Sequence, residues 1–323
     1  MPGFAVLFPG QGSQYVGMGQ DLYDSSPAAR TIFEAADRVC GKPLTRVLFE
    51  GPAEVLTDTA YAQPALFVMS LACWAALREA LADGPELEPA FAAGHSVGEY
   101  AALTIAGAIA FADALQLVCQ RGQAMRAAGE TQPGRMAAIL GLNIDVVERI
   151  CREASQSAGE PVVVANDNAP GQIVISGSSA AVQAASEMAK AEGAKRVIPL
   201  AVSIAAHSPL MEAAMARFSP ALRQVVFQAP RVSVIGNRYA RPLATAEEVV
   251  SELDAQLTSQ VRWTSSIRYI VEQGASAFVE LGPKDVLTGL VRRIAPPATC
   301  LPCGTVSDVA RAAQFLREQA HRA

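Results

Sequence analysis

The stretch "FAAGHSVGEYAAL", residues 91–103, decides how this chain is read. Ser96 stands between Gly94 and Gly98 in the spacing G-x-S-x-G. Before it, "PAFAAG" (89–94) reads as a short strand; after it, "VGEYAALTIAGAI" reads as a helix. A strand that turns sharply into a helix at a serine is a nucleophile elbow, with flanking glycines that let the backbone turn beside other segments. The helix N-terminus aims N–H groups and its dipole at the serine, favouring negative charge there. The N–H of Val97 is then one expected oxyanion donor.

Working outward, "FAVLF" (4–8) is a buried strand and "AQPALFVMSLACWAALREAL" (62–81) a long helix. Past the elbow helix a second helix, "ADALQLVCQRGQAMRAA", begins near Phe111. Strands alternating with helices predict an α/β fold with a mostly parallel sheet. Residues 130–203 break that rhythm. "RMAAIL" is a strand, "IDVVERICREASQ" a helix, and "PVVVAN" and "GQIVISG" paired strands around the turn "DNAP". "AAVQAASEMAKAEG" is a helix and "RVIPLAV" a strand, which completes β-α-β-β-α-β, the ferredoxin-like unit. The linker-like "GETQPGR" leads into it. The expected organisation is a large domain over 1–129 and 204–323 with a small domain, 130–203, inserted. The return is read as a helix after "HSPL", a strand "RVSVIG" (231–236), a helix around 246–258 and a helix from Trp263. "AFVELG" (277–282) is a strand, "KDVLTGLVRRI" a helix and "TCLPC" a last strand, before a terminal helix capped by Ser307 or Asp308.

Composition narrows the class. At 323 residues, 51% hydrophobic and 18% charged, the chain has ample material for a core. A net charge of −5 argues against a general nucleic-acid role. The opening "MPGFAVLFPG" lacks the basic, then apolar, pattern of a signal peptide. No run of about 18 strongly apolar residues predicts a membrane span, so a cytoplasmic protein is expected. Six cysteines are scattered, and only Cys300 and Cys303 have C-x-x-C spacing. With no second pair or histidines beside it, that spacing implies no metal site. It ends a strand rather than opening a helix, so structural thiols are expected.

A serine hydroxyl is a weak nucleophile and needs a base. Of the three histidines, His321 lies at a fraying terminus. His95 adjoins Ser96, and successive side chains on a strand end point to opposite faces. His207, in "VSIAAHSPLM", lies between a strand and a helix, where α/β folds place their sites. It is the expected base; the alternative is a helix-capping or buried histidine bonded to backbone. No acid is marked out to orient it.

In "ALQLVCQRGQAM", Arg121 shares a helical face with Leu117, Val118 and Met125. A guanidinium on an apolar face needs an anion. Either an internal Asp or Glu supplies it, or a substrate carboxylate does through two parallel N–H···O bonds. The glycine-rich loop "FPGQGSQYVGMG" (8–19) has Tyr15 in the place of the third glycine of G-x-G-x-x-G, and no Lys follows Gly17, so dinucleotide and P-loop signatures fail. It is either a plain tight turn or a second oxyanion donor beside the elbow, with Gln11 as the natural candidate.

"FPGQGSQ", "AQPALF", "GHSVGEY", "RGQAM", "NDNAPGQIVISG", "AAHSPLM", "VRW" and "ELGPKDVLTGL" run in order over nearly the whole chain. Together they resemble the malonyl-CoA:acyl-carrier-protein transacylase family, related to polyketide synthase acyltransferases. The resemblance implies an α/β-hydrolase-like large domain with a ferredoxin-like insert, no bound cofactor, and malonyl-CoA as substrate. It implies a ping-pong reaction: Ser96 attacks the thioester, His207 takes its proton, coenzyme A leaves, and the phosphopantetheine thiol of an acyl carrier protein attacks the malonyl-serine. Arg121 matches the carboxylate-binding arginine, and Gln11 and Val97 the oxyanion donors. The family orients its histidine through a main-chain carbonyl near a glutamine, which Gln256 matches; Gln63 and Asn166 fall in pocket-adjacent motifs. One departure is Ile204-Ala205-Ala206-His207, neither the HAFH nor the YASH of polyketide acyltransferases. Its small alanines leave room for a branched extender such as methylmalonyl. The competing activities are an acyl hydrolase using the same pair, against which Arg121 argues, and a non-catalytic docking subunit. Because carrier proteins of this kind are acidic, Lys284, Arg268, Arg292 and Arg293 are a candidate docking face, or else simply solvated.

Overall fold

The computed structural model describes residues 3–84 and 88–322. Two sheets organise them. The larger is built from β1 (Phe4–Phe8), β2 (Phe91–Gly94), β7 (Ser233–Ile235), β8 (Ala277–Leu281) and β9 (Thr299–Cys303), in the order β7-β2-β1-β8-β9. Every pairing in it is parallel. The strands are short apolar runs, as sheets covered by helices on both faces require: all five residues of "FAVLF" are buried. Register places Phe8 opposite Gly94, so the first loop and the elbow leave adjacent strand ends side by side. The carboxyl edge of such a sheet is where α/β folds bind ligands.

The smaller sheet holds β3 (Arg135–Leu140), β4 (Val162–Ala169), β5 (Gln172–Gly177) and β6 (Arg196–Pro199), ordered β4-β5-β3-β6 and antiparallel throughout. That order is the ferredoxin-like one. Helices Ile144–Ala158 and Ser179–Ala191 cover one face, and their apolar stripes close a separate core around Ile139, Val147, Ile150, Ile173 and Ile175.

Several boundaries differ from the sequence reading. β4 continues through "DNA" to Ala169, because register shifts at Val164/Asn166 and Asp167/Ala169 absorb the polar residues as bulges. β6 stops at Pro199, short of the expected 202; one further bond, from the Leu200 N–H to the Met136 carbonyl (2.9 Å), follows it. The expected helix around 246–258 divides into a helix, Ala246–Leu253, and a 3-10 turn, Gln256–Thr258. The helix before β3 runs to Thr131, so the linker is shorter than "GETQPGR". The terminal helix, Val306–Arg322, is capped neither by Ser307 nor by Asp308 acting as N-cap. Thr305 takes that place: its Oγ1 accepts the Asp308 N–H (3.2 Å) and donates to the Asp308 carboxylate (2.7 Å), a reciprocal cap. The His321 side chain lies outside the described part.

The long helix begins at Thr59, not 62, where Asp58 caps it by accepting the Ala60 N–H at 2.9 Å. Thr59–Leu81 is, among the described residues, the one helix long and apolar enough to cross a bilayer by length and composition. Of its most apolar 18-residue window 83% is buried within the protein, so its all-round apolarity is that of a core helix. Phe67, Val68, Met69 and Ala72 on it are at most 1% exposed; each larger side chain so buried contributes about 1.5–3 kcal/mol.

Candidate active site

The elbow is shaped by what its glycines lack. A Cβ on Gly94 would lie 2.0 Å from the Gly98 carbonyl carbon, and one on Gly98 would lie 2.2 Å from the Phe8 carbonyl oxygen. β2 therefore turns into the helix Gly98–Ile105 only because both positions are bare. Ser96 sits at the tip with φ 53°, a left-handed conformation that costs a residue with a Cβ about 1–2 kcal/mol. Neighbouring bonds hold it there: the Ser96 N–H donates to Asn237 Oδ1 (2.8 Å), and the Ser96 carbonyl accepts from Gln256 Nε2 (3.1 Å).

His207, 111 positions away in sequence, arrives 2.8 Å from the Ser96 hydroxyl through its Nε2. Its Nδ1 faces two carbonyl oxygens, Gln256 (3.0 Å) and Ser259 (3.1 Å). Carbonyls only accept, so the imidazole proton is on Nδ1 and the Nε2 lone pair points at the serine. Burial, reinforced by the Arg121 charge, pushes the His207 pKa down to about 3, so the ring is neutral at pH 7. The capping alternative fails for His207: the neighbouring turn is capped by Ser208, whose Oγ accepts the Leu210 N–H. His95 points away from the serine, donating through Nε2 to Asn168 Oδ1 at 2.8 Å.

Arg121 is 1% exposed on the helix Phe111–Thr131. Nη1 donates to Gln63 Oε1 (2.6 Å); Nη2 donates to Gln256 Oε1 (2.8 Å) and to Ser96 Oγ (3.2 Å). All three acceptors are neutral, and no carboxylate forms an ion pair with Arg121 among the described residues. The nearest acid, Glu99, is held by burial well above the usual carboxylate range and is bonded instead to Gln256 Nε2 and the Asn237 N–H. The internal-pair alternative therefore fails. A buried cation surrounded by amides and a hydroxyl is a ready partner for an incoming anion, and Nε lacks a hydrogen-bond partner.

These groups open into a cavity of about 530 Å³ lined by Gln11, Gln63, Ser96, Val97, Arg121, Asn166 and His207. The structure thus brings together seven of the eight residues singled out in the sequence. The eighth, Gln256, is buried behind the cavity, touching Ser96, Arg121 and His207 at once. Among the described residues, no internal hydrogen bond consumes the backbone N–H of Gln11 or Val97. The Gln11 side chain is tied back to Thr59 Oγ1 at 3.1 Å. Gly10 lets the loop lie against the elbow, since a Cβ there would meet the His95 carbonyl oxygen at 2.8 Å. Asn166 reaches the cavity from β4, so the smaller sheet supplies one wall.

Sequence reasoning missed Asn237, the Ser259 carbonyl and Glu99. Only Glu99 had a local signal, as an acid in the first turn of the elbow helix; the other two are defined by strand order. Of the four cations considered as a docking face, two are occupied: Lys284 Nζ donates to the Gly12 and Gln14 carbonyls, and Arg293 bonds Gln172 and the Pro170 carbonyl. Arg268 and Arg292 are exposed. Cys300 and Cys303 are buried free thiols on β9.

A parallel-sheet domain with a serine elbow and an inserted antiparallel domain defines the class: the acyl transferase domain, whose family profile matches residues 6–312. Within it, the chain belongs to the malonyl CoA-acyl carrier protein transacylase family. It is 40% identical to the transacylase of that name from Bacillus subtilis over 319 residues, covering 99% of each chain. It is 40% identical to the one from Escherichia coli strain K12, covering 98% of this chain and 100% of that one. Among solved structures, the malonyl CoA-acyl carrier protein transacylase from Coxiella burnetii superposes with a TM-score of 0.93 at 38% identity, covering 98% of both chains. A malonyl-transacylase solved in complex with its type II polyketide synthase acyl carrier protein matches with a TM-score of 0.91 at 38% identity, covering 97% of this chain and 99% of that one.

Proposed function

We propose that this protein transfers a malonyl group from malonyl-CoA to the phosphopantetheine thiol of an acyl carrier protein, in the cytoplasm, through a malonyl ester on Ser96. The observation that carries the reading is Arg121: a buried guanidinium with no ion-pair partner among the described residues, 3.2 Å from the serine oxygen. A group that receives the free carboxylate of a substrate so close to the nucleophile selects a short dicarboxylic thioester. The family membership and the carrier complex of a relative support transfer over hydrolysis.

The chemistry follows from the contacts. Neutral His207 takes the Ser96 proton on Nε2 as Oγ attacks the thioester carbonyl. The carbonyls of Gln256 and Ser259 hold the Nδ1–H and stabilise the imidazolium that forms. The N–H groups of Val97 and Gln11 stabilise the oxyanion; one such donor is worth about 2.7–4 kcal/mol in a comparable site. The intermediate collapses, the C–S bond breaks, and His207 returns its proton to the departing coenzyme A thiolate. In the second half the carrier thiol gives its proton to His207 and attacks the ester carbonyl. The C–O bond breaks, and Ser96 recovers its proton from His207. Arg121 holds the malonyl carboxylate in both halves, which keeps the acyl group from rotating away and water from replacing it.

Intact-mass measurement after mixing with malonyl-CoA tests this. The expected result is a single malonyl adduct, absent in Ser96→Ala, that moves to added holo carrier protein. Rapid release of free malonate at a rate independent of carrier would overturn transfer in favour of hydrolysis.

A further inference from the structure

We infer that Asn237 is a positioning residue for acyl transfer, its side-chain amide clamping the left-handed turn at Ser96 by bonding the chain on both sides of it. The inference deepens the reading of Ser96 as nucleophile and rests on it. β7 lies beside β2 and parallel to it, with Ile235 opposite Ala93. Two residues further along each strand, Asn237 comes level with the start of the elbow. There Oδ1 accepts the Ser96 N–H (2.8 Å) while Nδ2 donates to the Gly94 carbonyl (2.7 Å). One side chain thus bonds the strand end and the nucleophile across the bend.

Asn237 is itself held. Its N–H donates to Glu99 Oε1 (3.1 Å) and its carbonyl accepts the Arg262 N–H (2.9 Å). At 2% exposure its bonds are shielded from competing water. The clamp needs an acceptor and a donor on one short planar group, which an amide supplies. An ionised carboxylate of the same shape would keep the first bond and set an oxygen against the Gly94 carbonyl. Releasing the turn would let the Ser96 hydroxyl drift from its 2.8 Å contact with His207, and a misplacement of about 1 Å is worth about 100-fold in rate.

The ionisable groups around Asn237 are Glu99 from the elbow helix, Glu252 from the helix Ala246–Leu253, which accepts the Arg238 N–H at 2.7 Å, and Arg238 itself. Arg121 and His207 face it across Ser96. Beside two buried acids, a carboxyl introduced by Asn237→Asp favours its protonated form as pH falls, and that form restores the donor to Gly94.

The test is the single-turnover rate of malonyl transfer from malonyl-CoA to the full-length protein, read by intact mass, with circular dichroism to confirm folding. Asn237→Ala is expected to acylate about 100-fold more slowly at saturating malonyl-CoA, with KM little changed because Arg121 and the cavity wall keep their contacts. Asn237→Asp is expected to be slow at pH 8, and its rate relative to wild type is expected to climb as pH falls, which a merely structural defect would not do. A folded Asn237→Ala protein with the wild-type rate, or an Asn237→Asp ratio indifferent to pH, overturns the clamp. If Asn237→Ala does not fold, the pH ratio decides alone. Ser96→Ala separates the two layers: an adduct persisting there overturns the nucleophile reading itself.

Discussion

Ser96 and His207 both adopt a left-handed backbone, with φ of 53° and 59°, yet the chain around each reaches that state by different means. At Ser96 the bend is written locally. Gly94 and Gly98 remove the two Cβ atoms that would collide, and the strand and helix on either side are continuous with the turn. Around His207 the run itself holds no glycine; "SIAAHSPL" is an ordinary stretch of small and apolar residues. There the imidazole is held from outside, its Nδ1 facing the carbonyls of Gln256 and Ser259 some 50 positions away, while the backbone turn is braced next door by Ser208, whose Oγ donates to the Ala205 carbonyl at 2.7 Å. At Ser96 the glycines make the bend sterically possible and tertiary bonds from Asn237 and Gln256 hold it; at His207 no such local signal marks the position.

The difference can be attacked from either side. The largest effect is expected from His207→Ala, which should lower the single-turnover acylation rate by about 10⁴-fold or more while leaving the fold intact. A loss under tenfold would mean that Ser96 draws its reactivity from the elbow alone, and the comparison would collapse. Next, Gly98→Ala should cost about 3 kcal/mol of stability, measured by denaturant unfolding, because the new methyl meets backbone and not a flexible side chain. A Gly98→Ala protein as stable as wild type would show that the elbow does not need a bare position there.

Arg121→Ala should reduce the preference for malonyl-CoA over acetyl-CoA by about 100-fold, the worth of a bidentate charge-assisted bond of roughly 3 kcal/mol. Unchanged discrimination in competition assays would remove the carboxylate from the site. The smallest effect is one of pH. His207 binds its proton with a pKa of about 3 when folded, against an ordinary value of 6.5. Between those values the unfolded chain binds the proton and the folded chain does not, so the contribution of His207 to stability falls as pH falls. Wild type should lose about 1.4 kcal/mol per pH unit relative to His207→Ala below pH 6.5. A stability difference independent of pH between 6 and 4.5 would place the ring in a more open, hydrated setting than the carbonyl cage provides. By the same shift, acylation should show no loss of base near pH 6.5.

Much of the fold was legible in short-range pattern. Apolar runs gave the two kinds of strand, and the helical face of Arg121 with Leu117, Val118 and Met125 is the buried face of its helix. Where the reading slipped, the cause was a residue whose behaviour depends on its neighbours. "DNAP" looked like turn chemistry, yet Asp167 and Ala169 pair on with Asn168 as the bulge between them, and Asn168 is engaged by His95. "SD" looked like a cap, yet Thr305, one residue before the helix, is better placed to accept the Asp308 N–H.

By its own letters, the sequence determined the elbow, the helical face carrying Arg121 and the two-domain pattern, because each depends on residues within a turn or two of one another. Which strand lies beside which was settled only in three dimensions. That β7 flanks β2 is what brings Asn237 to the bend. That the 256–259 turn lies behind His207 is what fixes the imidazole tautomer. That no acid among the described residues pairs with Arg121 is a property of the packed interior. Hydrogen bonds and desolvation act over a few ångströms of space, and separations of 111 and 141 positions along the chain carry no local trace of them.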